Sequence, residues 1–288
     1  MNKPLDKISI HGFKSIRELN DFELDSLNIL IGANGSGKTN FISLFKLLNQ
    51  IIDENLQVYI AQSGGANSFL YFGHKNTEKI SIQLAFKNNG YNFTLIPTFQ
   101  DSLIFEYEEI WFHGGRQYKR PYSYNFGGGQ KETKLHVESR DRSIKNMADH
   151  VISAIQSWRV YHFHDTSPSA KLKKFVDIDD NRILRPDASN LAAFLFLLKT
   201  KYPSDYKNII STIRLVAPFF NDFVLIPKSS NNSKIQIEWL ENGSDDYFNA
   251  NTLSDGTLRF ICLATLLLQP DMPATIIIDE PELGLHPY

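Results

Sequence analysis

Sulfur and one-sided charge are both scarce in this sequence. Its 288 residues include a single cysteine, Cys262, and three methionines. One cysteine excludes an internal disulfide. Cys262 lies in the apolar run 260–264, which reads as packing rather than thiol chemistry, and the lack of pairing fits a reducing compartment. The formal net charge is -2, from 30 Lys and Arg against 32 Asp and Glu, so no global basic field draws the chain onto nucleic acid. The longest apolar runs, 260–268 and 274–278, fall short of the roughly 20 residues a spanning helix needs. The opening residues lack the apolar segment of a secretion signal, so a cytoplasmic protein with no membrane partner is expected. Internal repeats and coiled-coil heptads are missing too, which argues against solenoids and long coiled-coil arms.

What is present is a globular composition, 42% hydrophobic and 22% charged, enough for one large domain or two lobes. Residues 7–11 alternate as a strand, 12–15 turn, and 27–31 form a compact apolar strand running into glycines. The spacing of Phe41, Leu44, Phe45, Leu47, Leu48, Ile51 and Ile52 predicts a helix. Short alternating stretches at 80–86, 91–96, 104–112 and 134–137 predict an antiparallel sheet, with hairpin turns at 88–90 and 113–115. Beyond Ser143 helices dominate. Met147, Val151, Ile152 and Ile155 share a helical face, and Ser189 can cap a helix over 190–201. Further strands are expected at 160–164, 223–227 and 234–239, a helix at 258–268, and a buried strand of the parallel-sheet kind at 275–278. These textures divide the chain into 1–63, a β-rich insertion at 64–140, a helical subdomain at 141–225, and a closing stretch at 226–288.

Gly32-Ala33-Asn34-Gly35-Ser36-Gly37-Lys38-Thr39 satisfies G-x-x-x-x-G-K-[ST] at every fixed position. Its glycines let successive backbone N–H groups curl inward around phosphates, and Lys38 brings a cation to the β- and γ-phosphates of ATP. The Thr39 hydroxyl is a hard oxygen ligand for Mg²⁺. Gly32, Asn34, Gly35, Ser36, Gly37, Lys38, Thr39 and Asn40 are therefore the candidate nucleotide-binding residues. Downstream, 275–278 is an apolar strand ending in Asp279 and Glu280. Asp279 can hold Mg²⁺ through its water shell, and Glu280 can orient or deprotonate the attacking water. Strands often end in acids at a surface, so this pair gains meaning from the phosphate loop upstream.

Leu253-Ser254-Asp255-Gly256-Thr257 resembles the signature motif of ABC ATPases, and 278–287 resembles their Walker B motif and D-loop. The opening 8–15 resembles the first strand of the SMC/RecF-like branch, which includes stand-alone ATPases and the ATPase part of OLD-family nucleases. The resemblance implies an α/β P-loop NTPase fold, an ABC ATPase head carrying a β-rich insertion and a helical subdomain. It also implies a homodimer that sandwiches ATP between one protomer's P-loop and the other's Ser254 and Gly256. Lys38 and Glu280 would then be the catalytic pair, with Thr39 and Asp279 on the metal. The implied output is a DNA-directed process, either DNA repair or anti-phage defence, with a nuclease or toxin effector. Two features depart from the family. Asp255 and Thr257 replace residues usual in transporters, which points away from a transporter ATPase. The helix, strand and switch histidine that the family carries after the D-loop are not in this sequence, and His286 lies within the D-loop itself. The expected head is thus cut short at its C-terminal side, and a nucleotide-sensing regulator with little turnover stands as the alternative.

Other candidates are weaker. Gln83 and Gln156 have no spacing that makes either a Q-loop. His162 and His164 alternate onto one face beside Asp165, but no further ligand completes a metal spacing. Lys171, Lys173 and Lys174 form a short basic cluster of the kind that faces solvent. Arg116, Lys119 and Arg120, interleaved with Tyr118 and Tyr122, combine charge with rings as a single-strand platform would, but with a net charge of -2 an exposed hairpin decorated for solubility is the better reading.

Overall fold

Strand β1 (Lys7–Phe13) turns at Lys14 and Ser15 into β2 (Ile16–Glu23) and starts a six-stranded sheet. The remaining strands are β3 (Ile80–Phe86), β4 (Asn89–Pro97), β5 (Leu103–Phe112) and β6 (Tyr122–Gly127). Their order is β2-β1-β3-β4-β5-β6, antiparallel throughout. The expected stretches at 80–86, 91–96 and 104–112 are therefore present as antiparallel strands, and the N-terminal hairpin joins their sheet. The structure is a computed structural model that describes residues 5–115, 120–138 and 143–284. The chain divides into two compact units, Met1–Trp158 and Arg159–Tyr288.

In the first unit the period-two pattern puts Ile8, Ile10, Ile82, Leu84, Tyr91 and Phe93 on one buried face. Helices α1 (Lys38–Ile52), α2 (Leu56–Gln62) and α4 (Lys145–Gln156) cover the core, with the short α3 (Leu135–Glu138) before α4. Helix α1 buries Ile42, Leu44, Phe45, Leu47, Leu48, Ile51 and Ile52, each worth about 1.5–3 kcal/mol of transfer free energy. Phe45 and Phe86 both pack on the Trp158 ring.

Two expectations in this unit fail. Residues 134–137 were expected to extend the sheet, yet Leu135–Glu138 is a helical turn. Glu108 accepts the Lys134 N–H, and the Thr133 hydroxyl accepts the Leu135 N–H. Those donors are engaged before any ladder could use them. Residues 27–31 enter no ladder among the described residues, and Leu27, Ile29 and Ile31 are 76%, 73% and 92% exposed. Both edges of β1 are already taken by β2 and β3, so that sheet offers this segment no place there.

The second unit holds β7 (Trp158–Tyr161), β8 (Val176–Asp177), β9 (Phe220–Val224), β10 (Lys234–Ile235), β11 (Glu238–Glu241), β12 (Tyr247–Asn249) and β13 (Thr275–Ile278). They form a β12-β11-β9 sheet and the pairs β10-β8 and β13-β7. Helices α5 (Leu191–Lys201), α6 (Pro203–Val216) and α7 (Asp255–Leu268) build the core with them. Trp239 stacks on Phe220 at 5.9 Å inside that core. Ser189 does not cap α5. Asn190 precedes the helix instead, and its amide holds the 180–185 loop through Asp180 and Ile183 carbonyls and the Arg185 N–H. The strand expected at 160–164 ends at Tyr161, because the His162 N–H is taken by the Pro186 carbonyl. β13 is half-buried rather than buried, since its one strand neighbour among the described residues is β7.

Candidate functional site

In the first unit, the loop 32–37 ends at Gly37, which precedes α1 in a left-handed conformation at φ 99°. Gly35 is left-handed as well, at φ 82°. The Lys38 Nζ donates to the carbonyls of Gly32 and Ala33 at 2.6 and 3.1 Å, so its ammonium lies over the loop. Thr39 and Asn40 follow in the first turn of α1, where backbone N–H groups are without helical partners and favour an anion. The residues read as an anion cradle thus lie on one loop and one helix start. This arrangement fits the triphosphate of ATP: the glycines leave room, and Lys38 supplies charge.

The β1-β2 turn adds one residue that sequence reasoning missed, Ser15. The Asn40 Nδ2 donates to Ser15 Oγ at 2.8 Å, and a side-chain carbon on Gly37 would lie 2.7 Å from that same oxygen. Lys14, at φ 49°, sets its ammonium over the rings of Phe69 and Phe13 at 5.1 and 5.7 Å. Burial, and then the charge of Lys46, lower its pKa below the usual lysine value. The only signal for Ser15 in the sequence was its position in the segment resembling an SMC/RecF-like first strand.

In the second unit, Ser254 caps α7. Its hydroxyl accepts the Thr257 N–H at 3.1 Å, and Asp255 lies in the first turn. Gly256 approaches the backbone so closely that a Cβ there would lie 2.3 Å from the Gly284 carbonyl. β13 delivers Asp279 and Glu280 to a turn. The Asp279 N–H donates to the Tyr161 carbonyl at 3.2 Å, and the Leu283 N–H donates to the Glu280 carbonyl at 3.1 Å. Glu280 is exposed and left-handed at φ 48°, a conformation that costs a non-glycine residue on the order of 1–3 kcal/mol. Asp279 is half-buried, a carboxylate suited to a hard cation.

Two of the weaker candidates, His164 and Asp165, have hydrogen-bond partners within this unit. His164 Nε2 donates to the Asp279 carbonyl at 3.0 Å, and the Asp165 carboxylate accepts from the N–H and hydroxyl of Ser167. Among the described residues no group of three or more His, Cys, Asp or Glu could hold a metal ion. Arg116, Tyr118, Lys119 and His286 lie outside the described residues, while Arg120 and Tyr122 are exposed. No helix among the described residues is long and apolar enough to cross a membrane.

Three comparisons with known proteins complete the picture. No curated protein matches the sequence. Among solved structures, the SMC head domain from Thermotoga maritima aligns with 98% of this chain and 79% of that chain, at 14% identity and a TM-score of 0.34. Residues 27–288 match the family described as "AAA domain, putative AbiEii toxin, Type IV TA system". The match takes in the phosphate loop, the signature segment and the acidic pair, and the chain belongs to that family of AAA domains.

Proposed function

We propose that this protein binds and hydrolyses Mg²⁺-ATP as a dimerising switch. The observation that carries the reading is the Walker A geometry: a left-handed Gly37 leading into α1, with the Lys38 ammonium held over the loop. In this reading the N–H groups of 32–37 and the side chain of Asn40 bind the nucleotide, and Lys38 offsets charge developing on the γ-phosphate. Thr39 and Asp279 hold Mg²⁺, and Glu280 orients the water. Ser254 and Gly256 of a second copy engage the nucleotide from across the dimer. Because ATP then binds the closed dimer more tightly than the open one, binding closes it and hydrolysis releases it.

The output of such a switch is work on another molecule. The proposed one is DNA-directed, DNA repair or anti-phage defence, carried out in the cytoplasm with a nuclease or toxin effector. The family description, which names a toxin and a toxin–antitoxin system, supports an effector-coupled role over transport.

Light scattering with and without Mg²⁺-ATP tests the switch. A Glu280→Gln variant, which binds but turns over slowly, is expected to shift to dimer mass with ATP. Lys38→Ala is expected to abolish that shift. A Glu280→Gln variant that binds ATP while its mass stays constant overturns the dimer reading.

A further inference from the structure

The Arg259 side chain, in the second turn of α7, is spent on backbone carbonyls of two separate segments. Its Nε donates to the Phe163 carbonyl at 3.2 Å, and its Nη2 donates to the His164 carbonyl at 2.9 Å and to Thr166 Oγ1 at 3.5 Å. Its Nη1 donates to the Leu283 carbonyl at 3.1 Å. Among the described residues no carboxylate forms an ion pair with it. A planar five-donor fork can reach two loops at a set angle in a way that a lysine point charge cannot.

Those contacts bracket Glu280. On one side, Arg259 holds the backbone of His164, whose ring Nε2–H donates to the carbonyl of Asp279. On the other, it holds the carbonyl of Leu283, whose own N–H closes the turn onto Glu280. The left-handed Glu280 is unfavourable by itself, so its surroundings must impose that conformation. Two glycines allow the close fit. A Cβ on Gly284, at φ 75°, would lie 2.4 Å from Arg259 Nη1, and one on Gly256 would lie 2.3 Å from the Gly284 carbonyl. The helix start bearing Ser254 and Gly256 therefore touches the turn that carries the acid.

The geometry points to Arg259 as a positioning residue that couples the signature helix to Glu280. Engagement of the start of α7 by nucleotide is passed through Arg259 and the Gly256–Gly284 contact to the turn that aims the carboxylate. This rests on the ATPase reading and adds a means by which the signature controls turnover.

Two variants of the full chain test it. Arg259→Lys keeps the charge and most of the stem but has one nitrogen for several carbonyls. Its kcat is expected to fall about ten- to a hundredfold, while KM for ATP and the melting temperature stay near wild type. Gly284→Ala attacks the same contact from the other side. The double variant is expected to lose no more than the slower single variant, because both remove one coupling. Amide exchange read by mass spectrometry is expected to speed up in the 279–284 peptide of Arg259→Lys. Wild-type kcat in Arg259→Lys, or losses that multiply in the double variant, would overturn the coupling and leave the ATPase reading standing. If the wild-type chain shows no turnover, that reading fails on its own. The exchange measurement then decides: unchanged 279–284 exchange refutes the clamp, and faster exchange supports it.

Discussion

Ser15 Oγ stands against the bare Cα of Gly37, where a side-chain carbon would come within 2.7 Å of it. The β1-β2 turn and the end of the phosphate loop are thereby matched in shape, and Asn40 ties them by donating to the same oxygen. Gly37→Ala meets two obstacles, that contact and a φ of 99°. It is expected to weaken binding of a fluorescent ATP analogue by more than about tenfold, roughly 1.4 kcal/mol. Adding Ser15→Gly removes the clash but leaves the backbone strain, so it is expected to restore only part of the affinity. Full restoration in that titration would mean that sterics alone set the requirement.

Glu108 is fully buried and accepts hydrogen bonds from Tyr91 Oη, Thr133 Oγ1, Gln130 Nε2 and the Lys134 N–H. It draws β4, β5 and the start of α3 together. Burial first, and then the neighbouring Glu108 charge, push the Tyr91 phenol well above its usual pKa. Glu108→Ala leaves several buried donors unpaired and is expected to cost roughly 3 kcal/mol or more. The urea unfolding midpoint of the chain would show it, and an unchanged midpoint would refute the latch.

Cys262 is buried in α7, and burial pushes its thiol from 9.0 up to about 12. The folded state holds this proton more tightly than the unfolded state. Its contribution to stability is therefore complete below pH 9 and is lost as pH rises from 9 toward about 12. A thiol reagent at pH 8 is expected to leave the native chain unmodified and to react only as denaturant opens it. Modification of the native chain at the rate of a free thiol would contradict this packing.

Much of the site was legible because its chemistry is local. The phosphate loop is one contiguous run whose glycines, lysine and threonine each have a separate reason to be there, and α1 follows from its apolar spacing. Ser15 and Arg259 were not legible as site residues. What matters about them is contact with loops distant in sequence, and no spacing encodes that.

Errors of local structure have a common physical origin. Residues 134–137 alternate like a strand, but the Glu108 carboxylate and the Thr133 hydroxyl take the N–H groups a ladder would need. Residues 27–31 carry the composition of a strand, yet a strand exists only beside a neighbour that accepts its hydrogen bonds.

By itself the sequence determined the chemistry on offer: a phosphate-loop motif at 32–39, an acidic pair at 279–280, and the helix and the strand that carry them. Those follow from side-chain identity and from the periods of helix and strand, which act over a few residues. Tertiary structure alone decided that Gly37 faces Ser15, that Glu280 is left-handed, and that Arg259 spans two segments to brace it. Each of these depends on packing between segments far apart in the chain, where the stabilisation of many contacts overrides local preference.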